Sequence, residues 1–245
     1  QDSVILGPSE RAIIDLVFEA EGEFEITNDT PISQYKIGKI IVGDGPETMP
    51  LSFEQLDTTT TAIEVDALKT YFDAPIDFDY ELLIRWPVMD KMMQNQSMGG
   101  GMMHGNAHGM ENEDIEWEDS MAAINSITTN EEITWIIRDA KSKKENMDFY
   151  QTVKKGEIKK IRITNLETSS HPMQHPIHLH GNKFLVLSID GKKNDNLVWK
   201  DTVLIPTGKE VELLVEFSNP GDWMIHCHIA EHLSSGMMSM IKVVE

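Results

Sequence analysis

Short apolar runs bounded by glycine, proline, asparagine and aspartate succeed one another along this chain. Residues 12–18 and 24–27 read as strands, with Gly22 and Asn28-Asp29-Thr30-Pro31 as turns. Residues 35–42 form another strand-like run, closed by Gly43-Asp44-Gly45-Pro46. A connector follows over 44–74, in which residues 62–71 predict a short helix. A domain begins near Pro75, with strand signals at 77–86, 115–117, 133–138, 158–165, 184–189, 203–205 and 211–217. Residues 141–146 are charged and turn-like; Asn219-Pro220-Gly221-Asp222 is a turn, and residues 223–228 predict one more strand. Many short strands with Gly and Pro turns predict an all-β sandwich.

One stretch breaks this pattern. Residues 89–110 hold seven of the fifteen methionines, five glycines, His104 and His108. Glycine at this density argues against a packed element. Two readings stay open: a methionine-rich flexible loop, or a segment whose soft thioethers capture Cu(I). Met92, Met93, Met98, Met102 and Met103 are the candidate donors of the second reading. The net charge of −20 lacks the basic footprint that nucleic-acid binding needs. No apolar run reaches 18 residues, so no membrane span is expected. A length of 245 residues allows one or two domains with a sizeable core, and a single cysteine excludes an internal disulfide.

That cysteine stands in the densest chemistry of the chain, His226-Cys227-His228-Ile229-Ala230-Glu231-His232-Leu233-Ser234-Ser235-Gly236-Met237. Two imidazoles, one thiolate and a weak axial thioether are the ligands of a blue copper electron-transfer site. Cys227, His232 and Met237 supply three of them; His175, inside His175-Pro176-Ile177-His178-Leu179-His180-Gly181, is the candidate for the other imidazole. Successive side chains of a strand point to opposite faces. If Cys227 points into its own domain, His226 and His228 point away from it, and His178 and His180 likewise share a face. Four imidazoles are then expected to converge on a second metal site. The backbone on either side of Cys227 would join the two sites and give electrons a covalent route through His226 and His228. A lone cysteine is usually a small buried hydrophobe. Here, however, seven of the nine histidines lie between positions 171 and 232.

In these two motifs the sequence resembles the multicopper oxidases, the family of laccases, bacterial cuprous oxidases and ferroxidases. The resemblance covers residues 4–245, most strongly from Lys159 onward. It implies cupredoxin-like Greek-key β-sandwiches, with type 1 copper on His175, Cys227, His232 and Met237. It further implies type 2 copper on His178, and the type 3 pair on His180, His226 and His228. The implied activity takes electrons from a reducing substrate at type 1 copper and reduces dioxygen to water at the trinuclear cluster. The family builds that cluster from four His-x-His pairs, two of them in an N-terminal cupredoxin domain; this chain has two pairs. The implied partner is therefore an N-terminal cupredoxin domain, on a separate chain or a missing segment, that shares the type 2 and type 3 copper. Residues 1–43 resemble the closing part of the family's second domain. Residues 75–245 resemble its complete third domain, with the insert at 89–110. The location implied is extracytoplasmic, periplasmic or secreted.

Met237 in the axial position is similar to the lower-potential members, which implies a milder oxidant. Met173, two residues before His175, lies where cuprous oxidases carry a sulfur ligand for substrate copper; packing beside the type 1 site is the other reading. Cu(I) and phenol-type substrates both stay open. Dioxygen reduction needs a proton donor near the cluster. Glu231 and Asp201 are candidates for that role, or ordinary hydrogen-bonding groups; Leu233 stands where some bacterial members carry an acid. The alternative function is a copper-binding electron-transfer module without oxidase activity of its own, which would not need His178, His180, His226 and His228. A copper nitrite reductase would lack His228.

Overall fold

The computed structural model describes residues 3–14, 16–44, 60–87, 91, 115, 117, 132–167 and 173–245. Two sheets carry the fold. One has six strands: β3 (Phe78–Arg85), β4 (Thr134–Asp139), β6 (Ile158–Asn165), β8 (Lys183–Ile189), β9 (Lys192–Lys193) and β11 (Glu210–Glu216). Their spatial order is β4-β3-β6-β11-β8-β9. The other has five: β5 (Tyr150–Lys154), β7 (His175–Leu179), β10 (Thr202–Ile205), β12 (Gly221–Cys227) and β13 (Met238–Val244), in the order β10-β7-β12-β13-β5. A short helix, α2 (Ala230–Ser234), joins β12 to β13.

Alternation explains the layers. Tyr80, Leu82, Ile84, Ile161, Ile163, Phe184, Val186, Val211, Leu213 and Val215 of the larger sheet meet Ile177, Leu179, Val203, Ile205, Ile225, Cys227, Ile241 and Val243 of the smaller one in a single buried core. Leu185, Leu187 and Leu214 occupy the alternate positions of β8 and β11 and are buried on the opposite side. There they meet Val65 of α1 (Thr60–Leu68), which covers the outer face of the larger sheet. Strands buried on both faces read as continuous apolar runs, which is how Phe184 to Leu187 read. Lys183 lies over the Trp199 ring while Trp199 Nε1 donates to Glu64, tying the helix to the sheet.

The strands expected at 24–27 and 35–42 are β1 (Gly22–Asp29) and β2 (Gln34–Val42), an antiparallel hairpin that pairs only with itself among the described residues. Two expectations are corrected. Residues 12–18 enter no strand among those described, and Ile13, Ile14, Leu16 and Val17 are exposed. Strand-like composition is not enough without a neighbour to take its backbone hydrogen bonds. Ile115 and Trp117 likewise lie outside any strand. No described helix is long and apolar enough to cross a membrane.

Candidate metal centre

β7 and β12 run antiparallel at the middle of the smaller sheet, with His178 opposite His226 and Ile177 opposite Cys227. Directly opposed residues share a face. Cys227 and Ile177 therefore point into the sandwich, and His178 and His226 point out of it. His175, two residues before Ile177, falls on the core side. One sheet thus carries a different histidine group on each face.

The inner group is His175, Cys227 and His232, all buried. His175 Nδ1 lies 3.2 Å from His232 Nδ1, and Cys227 Sγ lies 3.7 Å from the first and 3.5 Å from the second. A triangle with these sides has its centre about 2.0 Å from every corner, close to the length of a metal–imidazole bond. Two imidazoles and one thiol at this spacing fit a copper ion by donor type and by distance. Met237 is fully buried in the same core.

The loop that carries these groups is closed by its own backbone. Cys227 N–H donates to Met237 O, and Met237 N–H donates to His232 O. His232 sits in α2, and Gly236 follows with φ of 108°. Asn165, buried in β6, donates through Nδ2 to Met173 O, Ile205 O and Pro206 O. It thereby fixes the backbone two residues ahead of His175. Trp135 of β4 closes the other side. Its ring stacks on His232 at 3.7 Å between centroids and 23° between planes, and it meets His175 edge-on at 5.3 Å. Sequence reasoning saw residue 135 only as part of a strand; nothing local marks it as a neighbour of the histidines.

The outer group gathers His178, His180, His226 and His228. Neighbouring ring centroids are 4.5–5.7 Å apart, and His180 Nε2 lies 3.0 Å from His226 Nε2. The ligand atoms of His178, His180 and His226 fall within 4.8 Å of one another. In His178 and His226 the other ring nitrogen is held. His226 Nδ1 is 2.7 Å from Cys227 O, and His178 Nδ1 is 2.8 Å from Asp201 O and 3.0 Å from Thr202 Oγ1. A carbonyl can only accept, so both rings carry the proton on Nδ1 and leave the Nε2 lone pair free for a metal.

Electrostatics favour the neutral imidazole at His175, His178 and His226. Burial pushes His175 well below its ordinary pKa, and the neighbouring His232 adds to the effect. Burial also lowers His178 and His226, against the carbonyls of Asp201 and Cys227. Burial pushes the Cys227 thiol up to about 12, against a backbone hydrogen bond from Ile229. A metal must therefore displace a proton from Cys227 but meets imidazoles ready to bind.

Asp201 stands beside the outer group. Its carboxylate lies 3.8 Å from His178 Nδ1, pairs with Arg11 and accepts from Thr202 Oγ1. Burial works to raise this carboxyl, but the Arg11 and Thr202 hydrogen bonds and the Arg11 charge hold it below its ordinary value. The Glu231 residue is exposed on α2. Met173 packs against the main core next to the His175 strand. Met92, Met93, Met98, Met102 and Met103 lie outside the described residues.

Gly181, directly after His180, has φ of 66°. A Cβ there would run into the Trp223 ring. Gly181→Ala should lower stability by about 2–4 kcal/mol, from the left-handed backbone and the clash together. The denaturation midpoint measures this; an unchanged midpoint would show that Trp223 moves aside freely.

The sequence model of the family described as multicopper oxidase matches residues 116–245, just over half of the 245. Among curated relatives, "Multicopper oxidase mco" of Staphylococcus aureus is 42% identical over 101 residues, which are 40% of this chain and 22% of that protein. "Laccase-1" of Cryptococcus neoformans is 43% identical over 95 residues, 34% of this chain and 15% of that protein. The chain thus spans less than a quarter of the length of these relatives. Among solved structures, a multi-copper oxidase from Pseudomonas thermotolerans covers 38% of this chain and 22% of its own, at 37% identity and a TM-score of 0.35. The fold is all-β, the family implies copper, and the His/Cys and His groups have the donors to hold a metal ion. By the match over residues 116–245, the chain belongs to the multicopper oxidases, a family of copper-dependent oxidoreductases.

Proposed function

We propose that this chain is the C-terminal part of an oxidase that takes electrons from a reducing substrate at the inner group and delivers them to dioxygen at the outer one. In this reading His175, Cys227, His232 and Met237 hold type 1 copper. His178 holds type 2 copper, and His180, His226 and His228 hold the type 3 pair. Copper bound there supplies one-electron redox chemistry and the reduction of dioxygen. The chain's own residues supply the rest. Trp135 and the core keep water from the inner donors. Asp201 and Cys227 carbonyls hold His178 and His226 in the tautomer that binds through Nε2. Of the two expected acids Asp201 is the one beside His178, but Arg11 holds it ionised, so it acts as a hydrogen-bonding group there rather than as a proton donor.

The observation that carries this proposal is the junction at Cys227. Its side chain belongs to the inner triangle, while its carbonyl accepts from the ring of the adjacent His226 in the outer group. An electron-transfer module needs only the inner triangle. The outer group supplies two of the four His-x-His pairs of a trinuclear site. We therefore propose that an N-terminal cupredoxin domain, on another chain or an adjoining segment, supplies the other two. Residues 1–43 belong, in this reading, to the end of a preceding domain, and 75–245 form the third; the protein is extracytoplasmic.

Copper counting with optical and EPR spectra of the full-length protein tests the proposal. The expected result is four coppers and a cupric signal set that includes one thiolate-bound site. One copper alone would leave an electron-transfer module. Oxygen consumption with Cu(I) and with a phenol, before and after deletion of residues 89–110, identifies the substrate. Unchanged Cu(I) kinetics after deletion would remove the methionines of the insert from the mechanism.

A further inference from the structure

His228 is the outer histidine whose held nitrogen does not bond to its own sheet. Its Nδ1 lies 3.1 Å from Ser9 Oγ, across 219 positions of sequence. Ser9 sits in a β-turn in which Glu10 N–H donates to Gly7 O. Pro8 and Ser9 are the central residues of that turn, and Ser9 has φ of 61°. Such a turn favours glycine or asparagine at the position Ser9 occupies, since other residues are strained there. The turn therefore breaks its local rule at the one residue whose hydroxyl reaches the histidine.

The turn is anchored on both sides. Gly7 is buried against Leu204 of β10, and its N–H donates to Glu10 Oε2. The Glu10 carboxylate, itself largely buried, pairs with Lys200. Arg11 pairs with Asp201, the residue whose carbonyl holds His178. Residues 7–11 thus clamp two consecutive residues ahead of β10 and place a hydroxyl on His228.

We propose that Ser9 is a positioning residue for the outer group, on the reading that this group binds copper. Ser9 Oγ accepts from His228 Nδ1–H, which fixes the ring and leaves its Nε2 lone pair for the metal. The Asp201 and Cys227 carbonyls do the same for His178 and His226. Orienting partners of this kind typically change metal affinity 10- to 100-fold when removed. The hydroxyl matters for the metal, and the strained backbone is carried for its sake.

Ser9→Gly separates the two roles, because glycine accepts the turn and removes the hydroxyl. Ser9→Asn keeps both an acceptor oxygen and tolerance of positive φ. The full-length protein, metal-free and labelled with ¹⁵N-histidine, reports the His228 tautomer by long-range ¹H–¹⁵N correlation. Titration with Cu(II) reports the outer-group affinity. Wild type should show the Nδ1–H tautomer. Ser9→Gly should keep or raise the melting temperature, lose that tautomer preference and bind cluster copper about 10- to 100-fold more weakly. Ser9→Asn should restore both. A Ser9→Gly protein with the wild-type tautomer and wild-type copper affinity would overturn the role of Ser9 and leave the copper reading intact. A wild type that shows the Nδ1–H tautomer, loses it in Ser9→Gly, yet binds no cluster copper would overturn the copper reading and leave Ser9 as the orienting group.

Discussion

Cys227→Ser should abolish the thiolate absorption expected near about 600 nm for a Cu–thiolate site and, on the proposed function, reduce oxygen turnover by about 10³-fold or more. The reason lies in the triangle. Cys227 Sγ is fully buried, 3.5 Å and 3.7 Å from the Nδ1 atoms of His232 and His175. A serine hydroxyl is a hard donor, ionises far less readily and cannot replace a soft thiolate. Proton release gives a second readout. The Cys227 thiol is pushed up to about 12 by burial, so near neutral pH it is protonated until metal arrives. His175 is held neutral by burial and by His232, so it has no proton to lose there. Metal entry at the inner group should release about one proton, and affinity should fall about tenfold for each pH unit lowered while the thiol is the only group losing a proton. The serine variant should release none. Retention of the absorption band in Cys227→Ser would place the thiolate site elsewhere and dismantle the inner triangle as a copper site.

The sequence makes the donors legible because their chemistry is rare. One cysteine between two histidines, with a methionine ten positions on, needs no structure to suggest copper. The face assignment followed as well, since it needs only the two-residue period of a strand; the opposition of His178 to His226, and of Ile177 to Cys227, bears it out. What the sequence hides are the partners that reach the site from elsewhere. Trp135 comes from the opposite sheet and Ser9 from a turn more than 200 positions away, and neither carries a local signal. The strand β7 was also obscured: Pro176 argues against a central strand, yet its carbonyl accepts from His228 N–H. The converse failure is at residues 12–18, where a strand-like composition finds no ladder among the described residues. Side-chain type reveals chemistry, and pairing reveals itself only when both strands are known.

The division of the smaller sheet into two faces has a physical rationale. On the proposed function, the inner group needs rigid, dry walls, so that donor positions barely change when the charge on a bound metal does. A buried position between β4, β7 and β12 provides them. In the same reading the outer group must admit dioxygen and protons, and it sits on the face turned away from the core. A single strand end serves both requirements because alternate side chains of β12 belong to different environments. No longer-range device is needed to connect them.

Trp135→Ala should lower stability by about 3–5 kcal/mol, the range for removing a large buried aromatic, and should also loosen the inner group. Trp135 is buried in the main core. Its backbone N–H donates to Ser235 O of the ligand loop and its carbonyl accepts from Asn146 Nδ2, so neither backbone link depends on the side chain. The variant therefore isolates the ring. Loss of the ring removes the flat surface that stacks on His232 at 3.7 Å and the edge contact to His175 at 5.3 Å. His232 then gains freedom about its ring torsion, which is broad when packing does not fix it. Weaker copper binding and a broadened thiolate band should accompany the lower denaturation midpoint. Trp135→Phe keeps a stacking face with less volume, so it should lose only about 1–2 kcal/mol and retain most of the spectrum. The comparison separates packing from positioning. If the alanine variant is destabilised but binds copper with wild-type affinity and an unchanged band, Trp135 fills the core and has no hold on the ligand. If alanine degrades both and phenylalanine restores the band ahead of the stability, the ring fixes the His232 imidazole in place for the metal.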